Sequence, residues 1–311
     1  MMKKIIKNSL INNLDIFLTY NMEYTFSKRL SQLTEKQLEL MKKKLPQKKP
    51  IKGVDNIILV ASGKGGVGKS TVSVNLATAL KCIAPDKEIG LLDADVFGPC
   101  IPLMMNLQET PLLNDQNLMI PLVNYGVKCM SMGNLITNNS AAIWRGLMVM
   151  SAIEKLIRGV DWDHTDYLIV DTPPGTGDTH LSLAQNLPLK GVLVVTTGQK
   201  AAVDVTTRGI SMFRKLNVPI IGLIDNMSGL KCTNCSHINK LFSNTIQEFA
   251  LNEGINSLFS IPMEQSIIDS CDSGQPVVIS HPKSKQAEIF KTIAQFIIDC
   301  EINCINKKPV N

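Results

Sequence analysis

The chain has 311 residues, of which 44% are hydrophobic, 19% charged and only 5% aromatic, with a formal net charge of +5. This composition suits a soluble globular protein with a sizeable, mainly aliphatic core. No apolar run approaches the ~20 residues that a membrane-spanning helix needs, and the charge is too small to argue for nucleic acid.

Residues 1–14 carry Lys3, Lys4 and Lys7 and no acid, with Ile5, Ile6, Leu10 and Ile11 between them. Such a segment is either an amphipathic targeting sequence or a tail. Its richness in Lys and Asn, and the Asp15 and Glu23 that follow, count against targeting, so these residues alone leave the two readings even. Lys42, Lys43, Lys44, Lys48, Lys49 and Lys52, interrupted by Pro46 and Pro50, read as a solvated linker. The reading is a targeting or flexible basic N-terminal segment over residues 1–50, a folded domain over 51–305 with a polar insertion at 229–241, and a tail over 306–311.

Residues 57–62 are predicted as a strand, and they run straight into Gly63-Lys64-Gly65-Gly66-Val67-Gly68-Lys69-Ser70-Thr71. Residues 71–80 then read as a helix. Strand, G-x-x-x-x-G-K-[ST] and helix together make a phosphate loop in the context that the motif requires. Its glycines let backbone N–H groups turn toward phosphates, and the helix points its positive end at the same anion. Lys69 is expected on the β/γ-phosphates of ATP, the Ser70 hydroxyl on Mg²⁺, and Thr71 on the α-phosphate.

The strand predicted at 89–93 ends in Asp93-Ala94-Asp95, and carboxylates at a strand's carboxyl end face the ligand crevice of an α/β sheet. Residues 127–132 read as a strand and 147–157 as a helix. The apolar run 167–170 ends in Asp171, a Walker B pattern whose carboxylate serves the Mg²⁺ water shell. Thr172-Pro173-Pro174-Gly175-Thr176-Gly177-Asp178 follows as a switch-like turn. Further strands are predicted at 192–197, 220–225 and 258–261, with helices at 203–216 and 284–300. Continuous apolar strands alternating with helices predict an α/β fold with a doubly wound, mostly parallel sheet. Asn226 follows the 220–225 strand, either as a turn residue or as a partner for the adenine edge.

Eight cysteines without a secretory signal point to a reducing compartment rather than a disulfide framework. Only Cys232 and Cys235 have metal-ligand spacing, in a polar insertion between a strand and a helix. A cluster or structural zinc normally takes four ligands, so one chain supplies half of a site and a second copy across a two-fold axis supplies the rest. A [4Fe–4S] cluster, a Cys₄ zinc and a redox dithiol all remain open on these residues alone.

Lys64, a second lysine early in the phosphate loop, resembles the deviant loop of the MinD, nitrogenase iron-protein and ParA group, within the SIMIBI class of P-loop NTPases. The chain further resembles the Mrp/NBP family of iron–sulfur carrier ATPases over about residues 50–280. The residues that carry this are 50–54, the phosphate loop, 91–99, Asn124-Tyr125-Gly126, 129–133, the run from Trp144 to Leu156, 173–178 and Asn226-Met227-Ser228. The resemblance implies a homodimer in which Lys64 reaches the partner's nucleotide, Asp95 orients attacking water and Asp93 sits by the magnesium hydration shell. It also implies a [4Fe–4S] cluster bridging Cys232 and Cys235 of two copies, slow ATP hydrolysis, and iron–sulfur apoproteins as recipients. For the family's mitochondrial branch it implies a matrix address and a role in complex I assembly. No nucleic acid partner is implied and membrane association is not indicated. The competing readings are a MinD/ParA-like positioning ATPase and a zinc-stabilised nucleotide-dependent scaffold.

The chain departs from the family pattern at Cys100, where serine is usual. Gly198 and Lys200 stand where proline and aspartate are usual, and Val205 stands at an aspartate position, with Asp204 one place early. Phe242-Ser243-Asn244 replaces a glycine-rich run. The departures at 198–205 leave the helix after Lys200 in question.

Overall fold

The computed structural model describes residues 48–135, 146–232, 235, 237–242 and 245–305. The expected targeting segment, Trp144 and Arg145, the centre of the Cys-x-x-Cys motif and the C-terminal tail lie outside these residues. The described residues belong to one compact unit that starts at Lys48.

The strands are β1 (Val54–Ser62), β2 (Ile89–Asp93), β3 (Leu122–Asn124), β4 (Val127–Ser131), β5 (Thr165–Asp171), β6 (Leu189–Thr196), β7 (Ile220–Lys231), β8 (Ile238–Lys240) and β9 (Leu258–Met263). The helices are α1 (Lys69–Ile83), α2 (Ile101–Met104), α3 (Gly146–Arg158), α4 (Asp178–Asn186), α5 (Lys200–Lys215), α6 (Thr245–Asn252), α7 (Gln265–Asp272), α8 (Val277–Ser280) and α9 (Lys285–Ile305).

One nine-stranded sheet runs in the order β3-β4-β2-β5-β1-β6-β7-β8, with β9 also on β7. All pairs are parallel except β3 with β4 and β7 with β8. Strand β1 sits centrally because both of its faces are apolar. Ile57, Leu59 and Ala61 face a core built with α3, α4, α5 and α6. Ile58 and Val60 face a second core built with α1, α8 and α9. This alternation is the period-2 side-chain geometry of a strand covered on both sides. The chain leaves β1 toward β2 on one side and reaches β6 on the other. The switch point therefore lies at the carboxyl end of β1, where α/β sheets open a ligand crevice.

The predicted doubly wound sheet is present, and the helix after Lys200 forms as α5. The structure differs at β7, which continues through Asn226 to Lys231 where a strand over 220–225 was expected. The continuation passes a bulge: Met227 has φ of 57°, and the register against β9 shifts between Asn226 and Leu230. Beyond the bulge β7 pairs antiparallel with β8, Gly229 opposite Lys240 and Lys231 opposite Ile238. The polar insertion is thus a β-hairpin rising from the sheet.

Candidate functional site: a phosphate loop and a cysteine hairpin

The phosphate loop joins β1 to α1, and Gly68 turns the chain into the helix with φ of 82°. A side chain there would be doubly excluded, because a Cβ would lie 2.2 Å from the Asn226 amide nitrogen. Lys69 lies inside the first turn of α1 and is 7% exposed. Its Nζ donates to Asp171 Oδ2 at 2.7 Å and to Ser70 Oγ at 3.2 Å. Asp171, at the end of β5, also accepts from Ser70 Oγ at 2.6 Å on Oδ2 and from Ser73 Oγ at 2.6 Å on Oδ1. The Walker A lysine and serine are thus collected around the Walker B carboxylate. Lys64 is exposed, and its carbonyl accepts from Ser62 Oγ at 3.1 Å.

Asp93 and Asp171 sit opposite each other in the register of β2 and β5. Asp93 is 1% exposed. Its Oδ1 accepts from the Asp95 N–H at 3.1 Å, and its Oδ2 accepts from Ser131 Oγ at 2.9 Å and from the Ile101 N–H at 3.4 Å. Burial, and secondarily the neighbouring Asp171 charge, push its carboxyl up to about 7. Asp93 is therefore both a turn cap and a neighbour of Asp171. Asp95 is half-buried and accepts from the Gly98 N–H at 3.4 Å. It faces a cavity of about 520 Å³ shared with Phe97, Val149, Met150, Pro173 and His180.

The segment after Asp171 is fixed to β1 at both ends. Thr172 donates to the Val60 carbonyl through its N–H at 3.2 Å and its hydroxyl at 3.0 Å, and the Gly175 N–H donates to the Ser62 carbonyl at 2.9 Å. With its proton committed to Val60, the Thr172 hydroxyl accepts from His180 Nε2 at 2.9 Å. Burial, with a smaller contribution from the Lys69 charge, pulls the His180 imidazole down to about 4.

Asn226 stands on β7 at the other end of the loop. Its Nδ2 donates to the Val67 carbonyl at 2.7 Å, so it clamps the phosphate loop directly. Beside it opens a cavity of about 210 Å³ walled by Thr71, Met227, Pro262, Glu264, Ile267 and Cys271. Cys271 and the Pro262–Glu264 segment at the end of β9 carried no sequence signal for this position, because only the pairing of β9 with β7 brings them there. Cys100 was also missed as a site residue. It is half-buried at the start of α2, and burial pushes its thiol up. Among the family departures, Gly198 and Phe242 meet: a Cβ at 198 would lie 2.5 Å from Phe242 Cβ. The glycine makes room for the ring.

Cys232 and Cys235 lie at the tip of the β7–β8 hairpin, the first half-buried and the second exposed. The Cys232 N–H donates to the His237 carbonyl at 2.8 Å, which closes the hairpin around the pair.

The family model for the NUBPL iron-transfer P-loop NTPases matches residues 53–298. The chain belongs to this family. It is 49% identical over 267 residues to the mouse iron–sulfur cluster transfer protein NUBPL, covering 86% of this chain and 84% of that protein. It is also 49% identical over 249 residues to an Arabidopsis thaliana iron–sulfur protein required for NADH dehydrogenase, mitochondrial, covering 79% of each chain. The nucleotide-binding protein of Archaeoglobus fulgidus, solved with ADP, superposes with a TM-score of 0.66 at 30% identity, covering 77% of this chain and 93% of that one. The NUBPL-family chain is thus an ATP-binding P-loop protein of the Mrp/NBP type, with the SIMIBI-class fold expected from Lys64 and Lys69.

Proposed function

We propose that this protein is an ATP-dependent carrier of [4Fe–4S] clusters, acting as a homodimer in the mitochondrial matrix and delivering its cargo to iron–sulfur apoproteins, complex I subunits among them. The observation that carries the reading is the path of β7. One strand begins its ligand-facing stretch at Asn226, which grips the phosphate loop, and ends five residues later at the base of the cysteine tip.

Residues 63–71 cradle the ATP phosphates. The 210 Å³ cavity takes the base, against Asn226 and the Pro262–Glu264 segment at the end of β9. The donors near the phosphates are a hydroxyl and two carboxylates, Ser70, Asp93 and Asp171, a hard-oxygen set that fits Mg²⁺. Bound there, Mg²⁺ neutralises charge on the β- and γ-phosphates. Asp95 holds the attacking water on its cavity side. As the water oxygen bonds to the γ-phosphorus, the bond to the β,γ-bridging oxygen breaks, giving ADP and phosphate. The partner's Lys64 supplies positive charge to the transferring group.

Among the described residues no three His, Cys, Asp or Glu side chains converge on a metal position. The cysteine pair of one chain therefore needs its symmetry mate to complete four thiolates. The homology to a mouse cluster-transfer protein and to a plant protein required for NADH dehydrogenase supports the cargo and the compartment.

The test is anaerobic reconstitution with iron and sulfide, followed by absorption and Mössbauer spectra and by iron counting. Wild type is expected to hold about one [4Fe–4S] cluster per two chains, and Cys232→Ala none. Uptake of zinc with no cluster would exclude the carrier reading and leave a zinc-stabilised scaffold.

A further inference from the structure

Beneath the cysteine hairpin lies a partly open cleft of about 130 Å³ between β7, β8 and α6. We propose that it is a binding site for a small monovalent cation, held by the Asp225 carboxylate.

Asp225 is 7% exposed, and its buried Oδ1 has no hydrogen-bond partner among the described residues. A buried carboxylate left in that state is costly, and proteins pair such groups with a donor or a cation. The side chain cannot easily turn away. Its backbone is fixed on both sides, opposite Thr196 on β6 and Ser260 on β9. Burial raises the Asp225 carboxyl to about 6, so it is ionised at neutral pH. Lys240 borders the same space with its side chain exposed.

The other polar groups around the space are the Ser228 and Ser260 hydroxyls and the Gln247 amide. These are oxygen donors with neither sulfur nor imidazole, which selects a hard cation. A single carboxylate matches a single charge, whereas calcium sites collect several carboxylates. The volume suits an ion with a few waters, at about 30 Å³ per water. Phe242 closes one wall against Gly198, so two positions that depart from the family pattern shape this cavity. A cation here would tie Asp225 and Ser228 of β7 to Ser260 of β9 and Gln247 of α6, bracing the base of the hairpin. The inference stands whether or not the cysteine tip carries a cluster.

Thermal unfolding of the full-length protein in choline chloride, NaCl, KCl and NH₄Cl at equal ionic strength tests it. At least one of Na⁺, K⁺ and NH₄⁺ is expected to raise Tm saturably over choline, by about 5 °C at ~100-fold excess over its Kd. Asp225→Asn should lose that response and Lys240→Met should keep it. An equal response to all four salts in wild type, or an undiminished response in Asp225→Asn, would show that water fills the space. A response that only Lys240→Met acquires would make Lys240 the resident cation and equally overturn the proposal. Crystals of the wild-type protein soaked in thallium(I) give a readout that needs no variant to fold. An anomalous peak against Asp225 supports the site, and no peak refutes it.

Discussion

Lys69 is held by Asp171 at 2.7 Å with both side chains buried. Lys69→Ala should therefore fold, because Asp171 retains the Ser70 and Ser73 hydroxyls. ATP binding should weaken by about 100-fold, the loss of strong charge-assisted bonds to phosphate; titration calorimetry reads it. His180 makes a second residue-scale prediction. Its imidazole is neutral in the fold with a pKa of about 4, against 6.5 for the free side chain. Unfolding below pH 6.5 therefore takes up a proton. The stability that the neutral ring contributes is complete above 6.5 and is lost as pH falls toward about 4, by up to about 3 kcal/mol. His180→Gln can still donate to Thr172 but has nothing to titrate, so its Tm should fall less than wild type's across that window. The phosphate loop was readable in sequence because its chemistry is local: nine consecutive residues specify it. Cys100 and Cys271 were not, because the surroundings of each come from residues far away in the chain, and His180 was not, because its bond to Thr172 needs the turn between them to close.

At the scale of elements, the long buried strands were legible for a physical reason. β2 and β5 are buried throughout, with apolar runs at 91–92 and 167–170, because helices cover both of their faces. Short elements such as α2, β3, β8 and α8 carry too few residues for a period to show. The end of β7 was hidden differently. Asn226-Met227-Ser228-Gly229 has the composition of a turn, yet the left-handed Met227 allows a bulge after which pairing resumes with β8. The hairpin depends on Gly229, where a Cβ would come within 2.7 Å of Ile238 Cγ2 and 2.9 Å of the Asn239 carbonyl. Gly229→Ala should force β8 away and misplace the cysteine pair. The expected result is loss of most cluster on reconstitution with ATP affinity within about twofold of wild type, since the Asn226 clamp lies before the bulge. Equal loss of both would mean that the hairpin and the nucleotide side form a single rigid unit.

On the proposed reading the whole molecule lacks something as one copy in two separate places. The cysteine tip offers two of the four ligands that a cluster takes, and the exposed Lys64 is the lysine proposed to act on the partner's phosphate. Both deficits are met by one two-fold axis if the phosphate-loop faces oppose each other, which is the reason to treat nucleotide binding and cluster binding as coupled. A mixing experiment separates this arrangement from a monomeric ATPase. Lys64→Ala should bind ATP normally but hydrolyse it about 10³-fold more slowly, as loss of a charge delivered across an interface does. Asp95→Asn should be similarly inactive through loss of the water-orienting carboxylate. In a heterodimer of the two, the site on the Lys64→Ala chain has its own Asp95 and the partner's intact Lys64. That site is whole. Random exchange makes about half of the dimers mixed, each with one working site of two, so the mixture should recover about a quarter of wild-type activity. If Lys64 served its own chain, every site in the mixture would still lack one group and hydrolysis would stay at the level of the separate variants. The same mixture reports on the cargo: both variants keep Cys232 and Cys235, so cluster content should be unchanged while turnover returns.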